Sequence, residues 1–160
     1  NMGRLHRISE NYEWVGDISN NIIIELKRTY DLLEEAHNRF FSRFKISYTK
    51  FNVLVILYKA SSEGLMLSDI GEHMVVTKAN ITGLIDRLEK QGFVERLRYD
   101  SDRRKIIAAI TEKGKLFTEQ VMEDYKNWSK EILDFLETNE KNSLVHILKT
   151  MRQGLMNKMV

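Results

Sequence analysis

The sequence predicts a mainly α-helical protein with a small β-hairpin: a winged helix-turn-helix bounded by N- and C-terminal helical segments. Three observations predict it. From Leu65 to Gly114 the chain reads as two short helices, a hairpin with a basic turn and a helix start, in that order. Within that stretch, Ile81, Leu84, Ile85 and Leu88 recur at i, i+3, i+4 and i+7, the spacing of one buried stripe on a helix from Thr77 to Gln91. On either side, long runs of helical periodicity carry more apolar stripe than one small lobe can cover.

Composition sets the outer bounds. With 160 residues, 42% hydrophobic and 30% charged, the chain can build a core as one domain or two intimately joined lobes, and it is not disordered. Apolar runs such as Val53 to Tyr58 are too short to span a bilayer, and no signal-peptide pattern opens the chain. A cytoplasmic protein without a membrane partner is therefore expected. The absence of cysteine excludes thiolate metal sites, disulfides and thiol redox sensing within the chain, and the absence of proline suits long helices. The net charge of +2 is small, but Arg96, Arg98, Arg103, Arg104 and Lys105 outnumber Asp100 and Asp102 in one short hairpin.

In chain order, Leu5, Ile8, Tyr12, Trp14 and Val15 supply apolar anchors for a short helix or arm. A long helix follows from Ile18 to Phe44, on which Tyr30, His37, Phe40 and Phe41 share one face, as core or as the border of an effector pocket. Ser47 caps a second helix through Ala60 that is apolar nearly all round and so buried on several sides. After the polar loop Ser61 to Gly64, Ser68 caps a short helix carrying Leu67, Ile70 and Met74. Thr77 is the N-cap of the next helix, and Gly92 sits where a left-handed C-terminal residue is needed. Strands from Phe93 to Tyr99 and Ile106 to Ile110 enclose a basic turn, the wing. Thr111 caps a long helix to about Glu137, and Thr138 or Asn139 starts the last, whose stripe is Leu144, Ile147, Leu148, Met151 and Leu155. Residues 4–46 and 112–160 are thus the expected helical dimerisation region, and 47–111 the winged lobe.

GLIDRLEKQGFVER from Gly83 to Arg96, then Asp102-Arg103-Arg104, then Ile110-Thr111-Glu112-Lys113-Gly114 resembles the MarR family of bacterial transcriptional regulators. The order of the surrounding helices matches as well, so the resemblance covers nearly the whole chain. It implies a winged-helix homodimer with interlocked terminal helices that binds double-stranded DNA, and in many members a small phenolic or anionic effector that lowers DNA affinity. It places Thr77, Lys78, Ala79, Asn80, Thr82, Gly83 and Arg87 on the recognition helix, and Asp102, Arg103 and Arg104 in the wing. The cysteine of the family's peroxide-sensing branch is absent.

The chemistry of these residues suits that division. Opposite the apolar stripe lie Ala79, Gly83, Asp86 and Lys90, flanked by Asn80, Thr82 and Arg87, a small, polar and basic face. Glycine inside a helix costs about 1 kcal/mol relative to alanine, so Gly83 points to close approach by another surface. Small Ala79 and Gly83 let the helix sit deep in a major groove, where Lys78, Asn80, Thr82 and Arg87 can read base edges or grip phosphates. Arg98, Arg103, Arg104 and Lys105 make the wing a second basic contact, with Arg103 and Arg104 suited to a minor groove. An unpaired Asp86 would be repelled by phosphates, so it is expected to pair with Arg103, Arg104, Arg87 or Lys90. Asp102 is expected to brace the wing in the same way. The four histidines, His6, His37, His73 and His146, are scattered, and no HExxH, phosphate loop or nucleophile motif occurs. No catalytic residue, cofactor or metal centre is expected. The expected function is a dimeric, sequence-specific DNA-binding regulator, a repressor relieved by a small aromatic or anionic effector. The alternative is a winged-helix protein-interaction module without specific DNA binding.

Overall fold

Ser47 begins the lobe in the manner its side chain dictates: its Oγ accepts a hydrogen bond from the Lys50 amide, satisfying one of the free amides at a helix start. The computed structural model describes residues 16–60, 62–74, 78–98 and 106–159, with Lys78, Ala79 and Arg98 described in backbone only. Its elements are α1 (Ile18–Ser42), α2 (Tyr48–Lys59), β1 (Leu65–Met66), α3 (Leu67–Met74), α4 (Lys78–Lys90), β2 (Val94–Arg98), β3 (Ile106–Ile110), α5 (Glu112–Glu131) and α6 (Thr138–Met159). Residues up to Thr118 form one compact unit and those from Glu119 a second.

The core of the first unit is made by the stripes that periodicity picks out. Val53, Leu54 and Leu57 of α2, Ile70 of α3, Ile81, Ile85 and Leu88 of α4, and Val94 and Ala108 of the hairpin are all essentially inaccessible to solvent. The sheet is three-stranded and antiparallel in the order β1-β3-β2, with Val94 opposite Ile110, Arg96 opposite Ala108, and Leu65 opposite Ala108 on the other edge.

Four differences from the sequence expectation stand out, the first being that α1 ends at Ser42 rather than Phe44. The strand β1 was not foreseen, because two residues are too few to show alternation; Leu65 and Met66 are held by pairing with β3. Ser68 lies inside α3, which begins at Leu67, rather than capping it. The helix expected to run to about Glu137 ends at Glu131, where the Asp134 and Leu136 amides fold back three residues onto the Glu131 and Leu133 carbonyls. The chain restarts as a helix because the Glu140 carboxylate accepts the Glu137 amide, one half of a capping box.

In the second unit Val121 is buried, whereas α6 buries no residue: Leu144, Val145, Ile147, Leu148, Leu155 and Met156 are all exposed. No helix among the described residues is long and apolar enough to cross a membrane.

Candidate nucleic-acid interface

The inward stripe of α4 fixes which side faces out. With Ile81, Leu84, Ile85 and Leu88 buried, Asn80, Thr82 and Arg87 are exposed, and Gly83 lies between them. A Cβ built on Gly83 would meet no heavy atom within 4 Å. Among the described residues nothing therefore requires glycine there, although it weakens the helix by about 1 kcal/mol.

The carboxylates of α4 do not face solvent unopposed. Arg96, on β2, ion-pairs through Nη2 with Asp86 Oδ1 and through Nη1 with Glu89 Oε2 at 2.8 Å; Nη2 also lies 3.5 Å from the Thr82 carbonyl oxygen. The guanidinium fork thus spans two turns of α4 and joins the helix to the first strand of the wing. Arg96 was counted among the basic residues of the hairpin but not foreseen as the partner of Asp86. The signal was present: Asp86 and Glu89 are three apart on one helical face, and Arg96 lies on the strand that follows the turn at Gly92.

The far end of α4 is closed by its own turn. Gly92 adopts φ +79°, the Gly92 amide donates to Glu89 O at 2.9 Å and the Phe93 amide to Leu88 O at 3.0 Å, the paired bonds of a Schellman cap. The start of α5 then grips this cap. Thr111 Oγ1 donates to the Gly92 carbonyl at 2.7 Å while accepting the Gly114 amide at 3.0 Å, and Lys113 Nζ donates to the Gln91 carbonyl at 2.8 Å. Phe93 stacks on Phe117 with centroids 4.3 Å apart. The orientation of α4 is therefore set at three places: the core stripe, Arg96, and the Thr111–Gly114 turn.

An exposed, small-faced helix braced to a β-hairpin is the geometry of a winged helix, and comparison with known proteins agrees. The model of the MarR family matches residues 46–106. The uncharacterised HTH-type transcriptional regulator YfiV of Bacillus subtilis is 33% identical over 115 residues, 72% of this chain and 71% of that protein. The chain belongs to the MarR family. The HTH-type transcriptional repressor YetL of the same bacterium is 28% identical over 144 residues, covering 88% of this chain and 86% of the relative. Among solved structures, a complex of Staphylococcus aureus MepR with DNA shares the fold, with a TM-score of 0.68 at 17% identity over 80% of this chain and 96% of that one.

The MarR match runs from the residue before Ser47 to the first residue of β3, and so contains α2, α3, α4 and β2. Of the recognition-helix residues picked out from sequence, Asn80, Thr82, Gly83 and Arg87 share the outward side of α4; Thr77 lies outside the described residues, and Lys78 and Ala79 are placed in α4 by backbone alone. Of the wing residues, Arg98 ends β2, whereas Asp102, Arg103, Arg104 and Lys105 lie outside the described residues.

The aromatic residues singled out on α1 separate into two groups. Phe40 and Phe41 are 2% and 1% exposed and belong to the core. His37 stands edge-on to Phe41 and to Tyr48, with centroids 5.0 and 4.4 Å apart, while Tyr30, about two turns earlier, is 57% exposed. Burial lowers the His37 pKa below its usual value, against the opposing charge of Glu34. The hydrogen bond to Glu34, and then that carboxylate's charge, raise the Tyr30 phenol above its usual value.

Proposed function

We propose that this chain is a dimeric, sequence-specific DNA-binding transcriptional regulator acting as a repressor in the cytoplasm, in which α4 enters the major groove and the β2–β3 wing contacts the adjacent minor groove. The single observation that carries the reading is the outward face of α4. A glycine with open space around it, polar Asn80 and Thr82, and basic Arg87 suit close approach to base edges and phosphates better than they suit helix stability. Membership of a family of transcriptional regulators supports it, as do a relative named as a repressor and a fold neighbour solved with DNA. Lys78, Asn80, Thr82 and Arg87 are the proposed readers, Thr77 and Ala79 shape the helix start, and Arg98, Arg103, Arg104 and Lys105 are the proposed wing contacts, with Asp102 bracing the wing.

A homodimer is part of this proposal. The apolar stripe of α6 has no buried residue, and Ile18, Ile22, Ile23 and Leu26 of α1 are exposed as well. Faces of this size on terminal helices suit a second copy of the chain, and two-fold symmetry would present two α4 helices to a palindromic site. Relief of repression would come from a small aromatic or anionic effector that binds better to a dimer whose lobes are spaced wrongly for DNA, since a ligand indifferent to the two states shifts nothing. Tyr30 and His37 are accessible enough to touch such a ligand; Phe40 and Phe41 would form the floor behind them.

Selection of genomic fragments by the purified protein tests the reading. Enrichment of a small set of fragments sharing an inverted repeat, with half-sites about one helical turn apart, is the expected result. Failure to enrich any fragment, with no retention on heparin, would favour a protein partner for the same face.

A further inference from the structure

The recognition helix carries an acidic edge. Alongside Lys78, Arg87 and Lys90, α4 holds Asp86 and Glu89, and both carboxylates are partly exposed, with 48% and 41% of their side chains accessible. On a helix that approaches a polyanion, two uncompensated carboxylates would act against every neighbouring cation. Arg96 answers both at once from a different element: its side chain is only 25% exposed, its two Nη atoms are divided between Asp86 and Glu89, and the Thr82 carbonyl lies beside them. A guanidinium directed this way cannot also point its fork at a phosphate.

We propose that Arg96 is a positioning residue for DNA recognition, which masks the acidic edge of α4 and holds that edge against the wing so that the helix meets DNA as a cationic surface. The proposal rests on the DNA-binding reading above and adds a role for a basic residue that does not touch DNA. Thr82, Asp86 and Glu89 follow one another at i, i+4 and i+7, so the grip runs along one side of the helix and resists rotation about its axis. Lysine would restore the charge but not the planar two-pronged contact.

The test compares wild type, R96M, R96K and the neutral triple variant D86N/E89Q/R96M on one duplex obtained by fragment selection, over a range of salt, with folding checked by circular dichroism. Masking predicts that R96M binds weaker by about tenfold at low salt and that R96K lies between, while the triple variant, which removes the unmasked charge but does not restore the grip, recovers to about threefold below wild type with an unchanged salt slope. D86N/E89Q, which keeps Arg96, should bind more tightly than wild type, a readout that holds even if R96M folds poorly. The proposal is overturned if the triple variant stays as weak as R96M with a slope shallower by about two ions, one for each protomer, which is the behaviour of a direct phosphate contact. It is equally overturned if R96M binds as wild type does. A wild-type protein that binds no duplex sinks the DNA reading itself, a result distinct from either.

Discussion

Gly114 packs so closely beneath Phe93 that a Cβ on it would overlap the Phe93 carbonyl oxygen and press on Ile110 Cγ1 at 2.8 Å. The contact joins the first turn of α5 to the end of α4, at the same point where Thr111 and Lys113 donate to the Gly92 and Gln91 carbonyls. The nearer obstacle, the Phe93 carbonyl, is backbone, so the backbone must move to admit a methyl group. Gly114→Ala should therefore lower stability by about 1–3 kcal/mol, read as a drop in thermal midpoint, and should shift α4 enough to weaken DNA binding as well.

Gly83 behaves in the opposite sense. With open space around it, Gly83→Ala should stabilise the isolated protein by about 1 kcal/mol, a rise of roughly 2–4 °C in Tm. On the proposed duplex it should weaken binding by about tenfold, the scale of one lost base contact. Calorimetry and a binding titration on the same sample separate the two effects, and a variant that gains stability without losing affinity would show that Gly83 does not face DNA.

His37 should make stability pH-dependent. Burial lowers its folded pKa below the unfolded value of 6.5, so between these two values the unfolded chain holds more protons than the folded one. Stability contributed by neutral His37 is complete above about pH 6.5 and is lost as pH falls through the folded pKa. His37→Phe, which keeps a ring against Phe41 and Tyr48, should lose less stability than wild type on going from neutral to mildly acid solution, as measured by denaturant midpoints across pH.

The proposed dimer is open to a single charge. Ile147 is 58% exposed, so Ile147→Glu costs the protomer little, yet it would bury a carboxylate if α6 packs against a second copy. Sedimentation should find wild type at twice the chain mass and the variant shifted toward the monomer. Equal masses would remove this face from the interface.

The two parts of the molecule were unequally legible in its sequence. The stripe Ile81, Leu84, Ile85, Leu88 could be placed because burial along a helix repeats every 3.6 residues, and the Gly92 cap because only one residue type is at ease at φ +79°. Ser47 was legible for the same reason, since its side chain competes for a local amide. Contacts between elements were not. Asp86 needed a cation, but five arginines and two lysines lie between Arg87 and Lys105, and the choice of Arg96 depends on the register of β2, with Val94 opposite Ile110. Aromatic spacing on α1 likewise put Tyr30, His37, Phe40 and Phe41 on one face without telling which end α2 covers; Phe40 and Phe41 are covered and Tyr30 is not.

The most direct measurement is the salt dependence of affinity for a selected inverted-repeat duplex, followed by fluorescence anisotropy. Two recognition helices and two wings making about 6 to 10 phosphate contacts should cost about 10³- to 10⁵-fold in affinity between 50 and 200 mM salt, with a scrambled duplex of the same length bound far more weakly throughout. A flat salt profile, or equal affinity for the selected and scrambled duplexes, would contradict sequence-specific DNA binding by α4 and the wing.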